Sequence, residues 1–337
     1  MRPLLHPSLV NGRTGDPALY IETLFERRAI LFDLGDIAPL APRKVQRLEH
    51  VFVSHTHIDH FIGFDRLLRL LVGREKTVRL YGPAGFIEQV QHKLHAYRWN
   101  LVDRFVCDLV FVATEVDAAL ATRTARFRLK SGFSGEDLGD GHCANGVLYR
   151  EPAFSVSTAV LEHRTPCLAF AIAEAEHVNV WKNRLEELGL PLGPWLRELK
   201  RAVIEDWPDD TAIEVRARPA SRDARELPLS ALRGVVTVTP GQKIAYVTDV
   251  ADTPANRAAI VALARNADLL FIEAAFAQAD AALAAERAHL TTGAAGEIAR
   301  AAAVRRLEPF HFSPRYAGEE QRMLDEAAAA FAGRVGS

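Results

Sequence analysis

The segment VFVSHTHIDHFIGFDRLL, Val51 to Leu68, constrains this chain more than any other. Val51 to Val53 reads as a buried strand, and Phe61, Phe64, Leu67, Leu68 and Leu71 recur at helical spacing over Phe61 to Leu71. Between strand and helix stand Ser54, His55, His57, Asp59 and His60. Strand ends at the edge of an α/β core are where sites are built. Imidazole with carboxylate is a ligand set suited to zinc and its neighbours. His55 and His57, two residues apart, can face one ion, and Asp59 and His60, opening the helix, are positioned for a second. A polar loop whose histidines cap the helix is the plainer reading. It accounts for an isolated histidine better than for this cluster.

Short apolar runs bounded by turn residues recur along the chain: Ala29 to Phe32, Val78 to Tyr81, Leu168 to Ile172, Ile244 to Thr248 and Leu269 to Ile272. Helical stretches lie between and after them, at Pro254 to Arg265 and in the alanine-rich segments Ala277 to Ala288 and Ala294 to Ala303. Strands alternating with helices predict an α/β architecture. From His177 to Arg233 the chain is richer in charge and proline and carries Trp181, Trp195 and Trp207, three of the four tryptophans. It reads as an arm, 177–233, inserted into a single domain spanning 1–337. In TRTARFRLK, alternation puts Arg126, Arg128 and Lys130 on one strand face, either solvated or tracking phosphates.

Composition narrows the setting. With a net charge of −2 there is no global field for nucleic acid, so an RNA partner needs a local patch. Cys107, Cys143 and Cys167 are odd in number and form no CxxC pair, which suits free thiols and a cytoplasmic protein. The beginning, MRPLLHPSLVNGRTGDP, has no apolar stretch of signal-peptide length, and no run is expected to span a membrane.

HTHIDH is the HxHxDH pattern of the metallo-β-lactamase superfamily, and the chain resembles that family over nearly its whole length. LEHRTPCLAF places His163 before a strand, KIAYVTDV places Asp249 at the end of one, and RRLEPFHFSPRY places His311 in a loop near the C-terminus. Each resembles a family ligand. The resemblance implies a four-layer αβ/βα sandwich with two divalent metal ions. His55, His57, His163 and Asp249 would hold one; Asp59, His60, Asp249 and His311 the other. Zinc is the default, manganese and iron being ions the same ligands accept. Such a pair would acidify a shared water for hydrolysis, with Asp59 orienting it. Asp33, in LFDLG, resembles a residue that supports the metal histidines, although a turn cap explains it equally well.

AHLTTGAAGEIAR, followed by His311, resembles the ribonuclease Z branch of that superfamily. There the residue matching His289 acts as general acid toward the leaving oxygen, and IEAAF supplies Glu273 to orient it. Arg315 is a candidate for neutralising a phosphate or a plain surface arginine. LEELGLPLGPWLRELKRA resembles the tRNA-binding arm of that branch, yet between His177 and Trp207 five Lys or Arg are matched by five Glu or Asp. The helix after HTHIDH also lacks the branch's glycine- and proline-containing loop, and TDV stands in place of GDT. The resemblance therefore implies a phosphodiesterase or endoribonuclease acting on the 3′ trailer of precursor tRNA, or on another phosphodiester, as a homodimer by analogy. Hydrolysis of a small ester, lactone or cyclic phosphodiester is the alternative, and a metal-stabilised scaffold a third reading.

Overall fold

The alternation seen in the strands sorts side chains into three separate cores, and those cores define the layers. Leu19, Ile21, Ile30, Phe32 and Phe52 point one way, with Leu168, Phe170, Ile172, Tyr246 and Phe271 facing them from other strands. Tyr20, Leu31, Val51, Val53 and Leu80 point the opposite way, into a core shared with the helices Phe64–Leu71 and Phe86–His95. On the far side, Ala169, Ala245, Val247, Leu270 and Ile272 pack with residues of the helices Pro254–Ala264, Thr292–Ala301 and Glu320–Phe331. Helix, sheet, sheet and helix follow in turn, the four-layer αβ/βα sandwich. The middle is aromatic: Phe32 stacks on Phe170 across the sheets at 5.5 Å. Truncating either ring to alanine costs about 3–5 kcal/mol.

The computed structural model describes residues 4–24, 28–217 and 224–333. One sheet has eight strands whose spatial order follows the chain, from Leu5–Leu9 to Gly135–His142. Its centre is parallel, Ala29–Phe32 beside Leu48–Phe52 beside Lys76–Pro83. The other sheet has six, ordered Leu307–Phe310, Leu269–Glu273, Lys243–Val247, Pro166–Glu174, Phe154–Glu162, Val147–Arg150.

Two expectations change. The helix predicted over 61–71 is broken into Ile58–Phe61 and Phe64–Leu71. The Asp33–Gly35 backbone interrupts it: Leu34 N–H donates to the His60 carbonyl and Gly63 N–H to the Leu34 carbonyl. A Cβ at Gly63 would lie 2.2 Å from the Gly35 carbonyl oxygen, so only glycine fits this approach. The strand carrying Arg126 and Arg128 stops at Arg128, and Lys130 falls in a 3-10 turn, Leu129–Ser131. Arg126 is paired with Glu136 and Arg128 with Asp108.

By its contacts the chain divides into two units, Met1–Ala173 with Gln242–Ser337, and Glu174–Gly241. The smaller has two two-stranded antiparallel sheets, His177–Val180 with Val236–Thr239 and Ala212–Val215 with Arg225–Pro228, and a core including Leu185, Trp195, Leu199, Ile213 and Leu232. Trp181 and Trp207 carry Arg184 and Arg201 over their rings.

Candidate metal centre

Four loops at strand ends converge on one point. The strand Leu48–Phe52 leads through Ser54 to His55. His57 is the N-cap of the helix Ile58–Phe61, which sets Asp59 and His60 in its first turn. His163 lies in the turn between Phe154–Glu162 and Pro166–Glu174, while Asp249 and His311 follow the strands Lys243–Val247 and Leu307–Phe310. Asp249 and His311 have positive φ, 39° and 58°, as does Asp33 at 58° after the strand Ala29–Phe32. Such backbone is uncommon outside glycine and costs about 1–3 kcal/mol, so packing and hydrogen bonds must impose it.

Donor atoms of His55, His57, His163 and Asp249 all lie within 4.8 Å of one another, as do those of Asp59, His60 and His311. Asp249 Oδ2 is 3.6, 3.5 and 3.5 Å from the Nε2 atoms of His55, His163 and His60. Asp249 Oδ1 is 2.9 Å from His311 Nδ1. Separations of 3.5–3.6 Å are long for hydrogen bonds. They match the roughly 3.4 Å between ligands of a tetrahedral ion with bonds of about 2.1 Å. Among the described residues, His60 Nε2 and His311 Nδ1 are buried with no hydrogen-bond partner of good geometry, a state that folded proteins rarely leave unresolved. The residues thus fit divalent metal ions.

Charge points the same way. Burial, then the nearby His60, pushes His55 down to about 2. Burial also opposes a charge on His311, yet Asp249 beside it raises that ring to about 10. Asp249 resists its own burial through His311 and His60, which hold its carboxyl well below the usual range. Protons here balance the buried carboxylate as cations would.

Supporting residues fix which nitrogen faces inward. Asp33, fully buried, accepts from Ser54 N–H at 2.6 Å, Ser54 Oγ at 2.9 Å and Tyr246 Oη at 2.8 Å. It also meets His60 Nδ1 at 3.0 Å, leaving Nε2 toward Asp249. His163 Nδ1 donates to the Ala288 carbonyl at 2.8 Å, with the same result. His289 Nδ1 lies 2.9 Å from Glu273 Oε2, and Glu273 Oε1 accepts from Val250 N–H. Burial lowers His289, but the adjoining Glu273 outweighs it and raises the ring's affinity for a proton. A cleft of about 450 Å³ opens over the cluster, lined by His57, Asp59, His163, Asp249, His289 and His311. Arg315 stands over the Phe276 ring, 3.9 Å from Asp280.

Sequence reasoning missed Ser54, Tyr246 and Arg287, the last of which also lines the cleft. Ser54 had a signal, a hydroxyl between strand and motif. Tyr246 had only a phenol in an apolar strand.

Known proteins resemble the chain throughout. The β-lactamase superfamily domain matches residues 20–134 and 184–312. Ribonuclease Z of Deinococcus radiodurans is 31% identical over 334 residues, 97% of this chain and 96% of that protein. Ribonuclease Z of Thermobifida fusca is 31% identical over 320 residues, 92% of this chain and 83% of that one. Among solved structures, the short form of human tRNase Z aligns with a TM-score of 0.54 at 17% identity, covering 92% of this chain and 91% of that one. The metallo-β-lactamase fold protein YhfI of Bacillus subtilis gives 0.53 at 17%, covering 96% and 92%.

Proposed function

The chain belongs to the ribonuclease Z family of the β-lactamase superfamily, and from that membership we propose that it is a metal-dependent endoribonuclease removing the 3′ trailer of precursor tRNA. The observation that carries the reading is the Glu273–His289 pair beside the histidine and aspartate cluster. A ribose hydroxyl is a poor leaving group and needs a proton as the P–O bond breaks. With Nδ1 held by buried Glu273, His289 keeps Nε2 for that oxygen, and against the effect of burial the Glu273 carboxylate raises the ring's affinity for the proton it would deliver.

Divalent ions held by His55, His57, Asp59, His60, His163, Asp249 and His311 would acidify a water and offset phosphoryl charge. Asp59, partly exposed on the cleft wall, orients the attacking water by accepting its hydrogen bond. Asp33 holds His60 in the tautomer a ligand requires. Zinc is the ion we assign, since imidazole and carboxylate suit it. Unit Glu174–Gly241 is the arm we assign to tRNA, on its place in the chain between His163 and Asp249. By analogy with ribonuclease Z relatives the working form is a homodimer. The free thiols Cys107, Cys143 and Cys167 favour a cytoplasmic setting, and no described helix is long and apolar enough to cross a membrane.

The test compares the zinc-loaded protein with His289→Ala on precursor tRNA, bis(p-nitrophenyl) phosphate and a lactone panel. Trailer cleavage should fall by about 10²–10⁴-fold in the variant. Nitrophenolate leaves without a proton, so bis(p-nitrophenyl) phosphate turnover should fall much less. Lactone turnover indifferent to His289, with no diester cleavage, would overturn the assignment in favour of a small-molecule hydrolase.

A further inference from the structure

Among the described residues, the cleft is lined by three carboxylates, Asp16, Asp59 and Asp249, and by one guanidinium, Arg287. Neighbouring arginines are committed to the protein itself. Arg13 reaches Glu308 and the Pro309 carbonyl, Arg257 is held by Asp252 and Glu297, and Arg315 lies over Phe276. Among the described residues, no hydrogen bond or ion pair engages the side chain of Arg287.

Hydrogen bonds hold the backbone on either side of it, and the residue itself is exposed. Arg287 ends the helix Ala281–Arg287, and Ala288 then turns the chain with a positive φ of 58°. On one side Arg164 donates to the Glu286 carbonyl; on the other, the Ala288 carbonyl accepts from His163 Nδ1. His289 N–H closes the turn on the Ala284 carbonyl at 2.9 Å. The backbone that orients His163 and delivers His289 therefore also presents Arg287, two residues before the general acid.

We propose that Arg287 is a positioning residue that binds the phosphate flanking the scissile one on the side of the leaving oxygen. The inference rests on the phosphodiesterase reading above. Ions in the cluster would offset the scissile phosphate, but a polynucleotide brings a second phosphate charge into a cleft whose walls carry the carboxylates of Asp16, Asp59 and Asp249. A guanidinium matches two phosphate oxygens at once, which a lysine cannot. Standing beside His289, Arg287 meets the strand on the side where the proton is delivered.

Arg287→Ala is expected to lower kcat/KM for precursor tRNA roughly tenfold more than for bis(p-nitrophenyl) phosphate, which has no flanking phosphate, with the difference in KM. The slope of log(kcat/KM) against log salt should shrink by about 0.7–0.9, and Arg287→Lys should restore the slope with only part of the affinity. An uncharged methylphosphonate at the flanking linkage on the leaving-oxygen side should erase the difference between wild type and Arg287→Ala; the same change on the other side should not. Equal losses on both substrates, or an unchanged salt slope in a variant that still cleaves precursor tRNA, would overturn the assignment. A wild-type protein that cleaves lactones and no diester would fail at the earlier step, and the role of Arg287 would fall with it.

Discussion

His50 and His55 are buried alike, at 2% and 1% exposure, at opposite ends of one stretch of chain. His50 lies within the strand Leu48–Phe52, its ring 4.3 Å from that of Tyr149 and near Phe52, Tyr81 and Phe154. Tyr81 Oη lies 3.5 Å from its Nδ1. Burial, then the charge of Arg79, lowers it to about 4. His55, three residues beyond the strand, packs among His57, His60 and His163 and faces Asp249 Oδ2 at 3.6 Å. Burial makes both rings neutral. A neutral imidazole becomes a candidate ligand only where other lone pairs converge on the same point, as they do at His55 alone of the two.

Asp249 is where that difference is broken most completely. Asp249→Asn keeps the side chain's size and removes the charge that both sets of histidines share. Activity should fall by more than the roughly 10–100-fold that loss of a supporting residue costs, and elemental analysis should find fewer metal ions per chain. Full metal content with unchanged activity would show that the convergence is not a shared site. Asp33→Asn comes next. Asparagine tolerates the φ of 58°, but its amide cannot accept from Ser54 and Tyr246 and also from His60. Zinc affinity, read by competition with a chelator, should drop by about 10–100-fold while the fold persists.

The strands were legible because each of their two faces lies in an apolar core, so Ile30 and Phe32 alternate with Ala29 and Leu31. HTHIDH was legible because four of its groups fall within six residues, and His163, Asp249 and His311 because each sits next to an apolar strand. What was hidden depends on partners far along the chain. The helix break at Gly63 comes from the Leu34 and Gly35 backbone. The hydroxyls of Ser54 and Tyr246 acquire meaning only when the fold brings them to Asp33. Arg287 reads as the solvated end of an alanine-rich helix until the turn at Ala288 aims it into the cleft.

Replacing the other histidine, His50→Phe, should leave the metal site intact and change stability in acid. In the folded chain His50 titrates near 4, against about 6.5 when unfolded. Between those values the unfolded state takes up the proton and the native state does not, so stability is full above about 6.5 and declines as pH falls. The loss approaches roughly 3 kcal/mol at and below about pH 4. Phenylalanine removes this dependence while filling the aromatic cluster. Urea midpoints for the two proteins should therefore diverge between pH 7 and 4.5, and parallel midpoints would mean that His50 is charged inside the fold.

The smallest effect is expected on the strand Ala121–Arg128, the face that alternation alone offers as a track for phosphates. Arg126 meets Glu136 through two hydrogen bonds, at 2.9 and 2.5 Å, and Arg128 meets Asp108 at 2.8 Å. A cation already matched by a carboxylate releases no net counterion when RNA approaches, so such a face adds little to the salt dependence of binding. Arg126→Ala should therefore leave the salt slope for precursor tRNA where it was, while Arg287→Ala lowers it. Equal reductions would mean that Glu136 gives up its arginine to the substrate, and would place an RNA path along this strand as well as across the cleft.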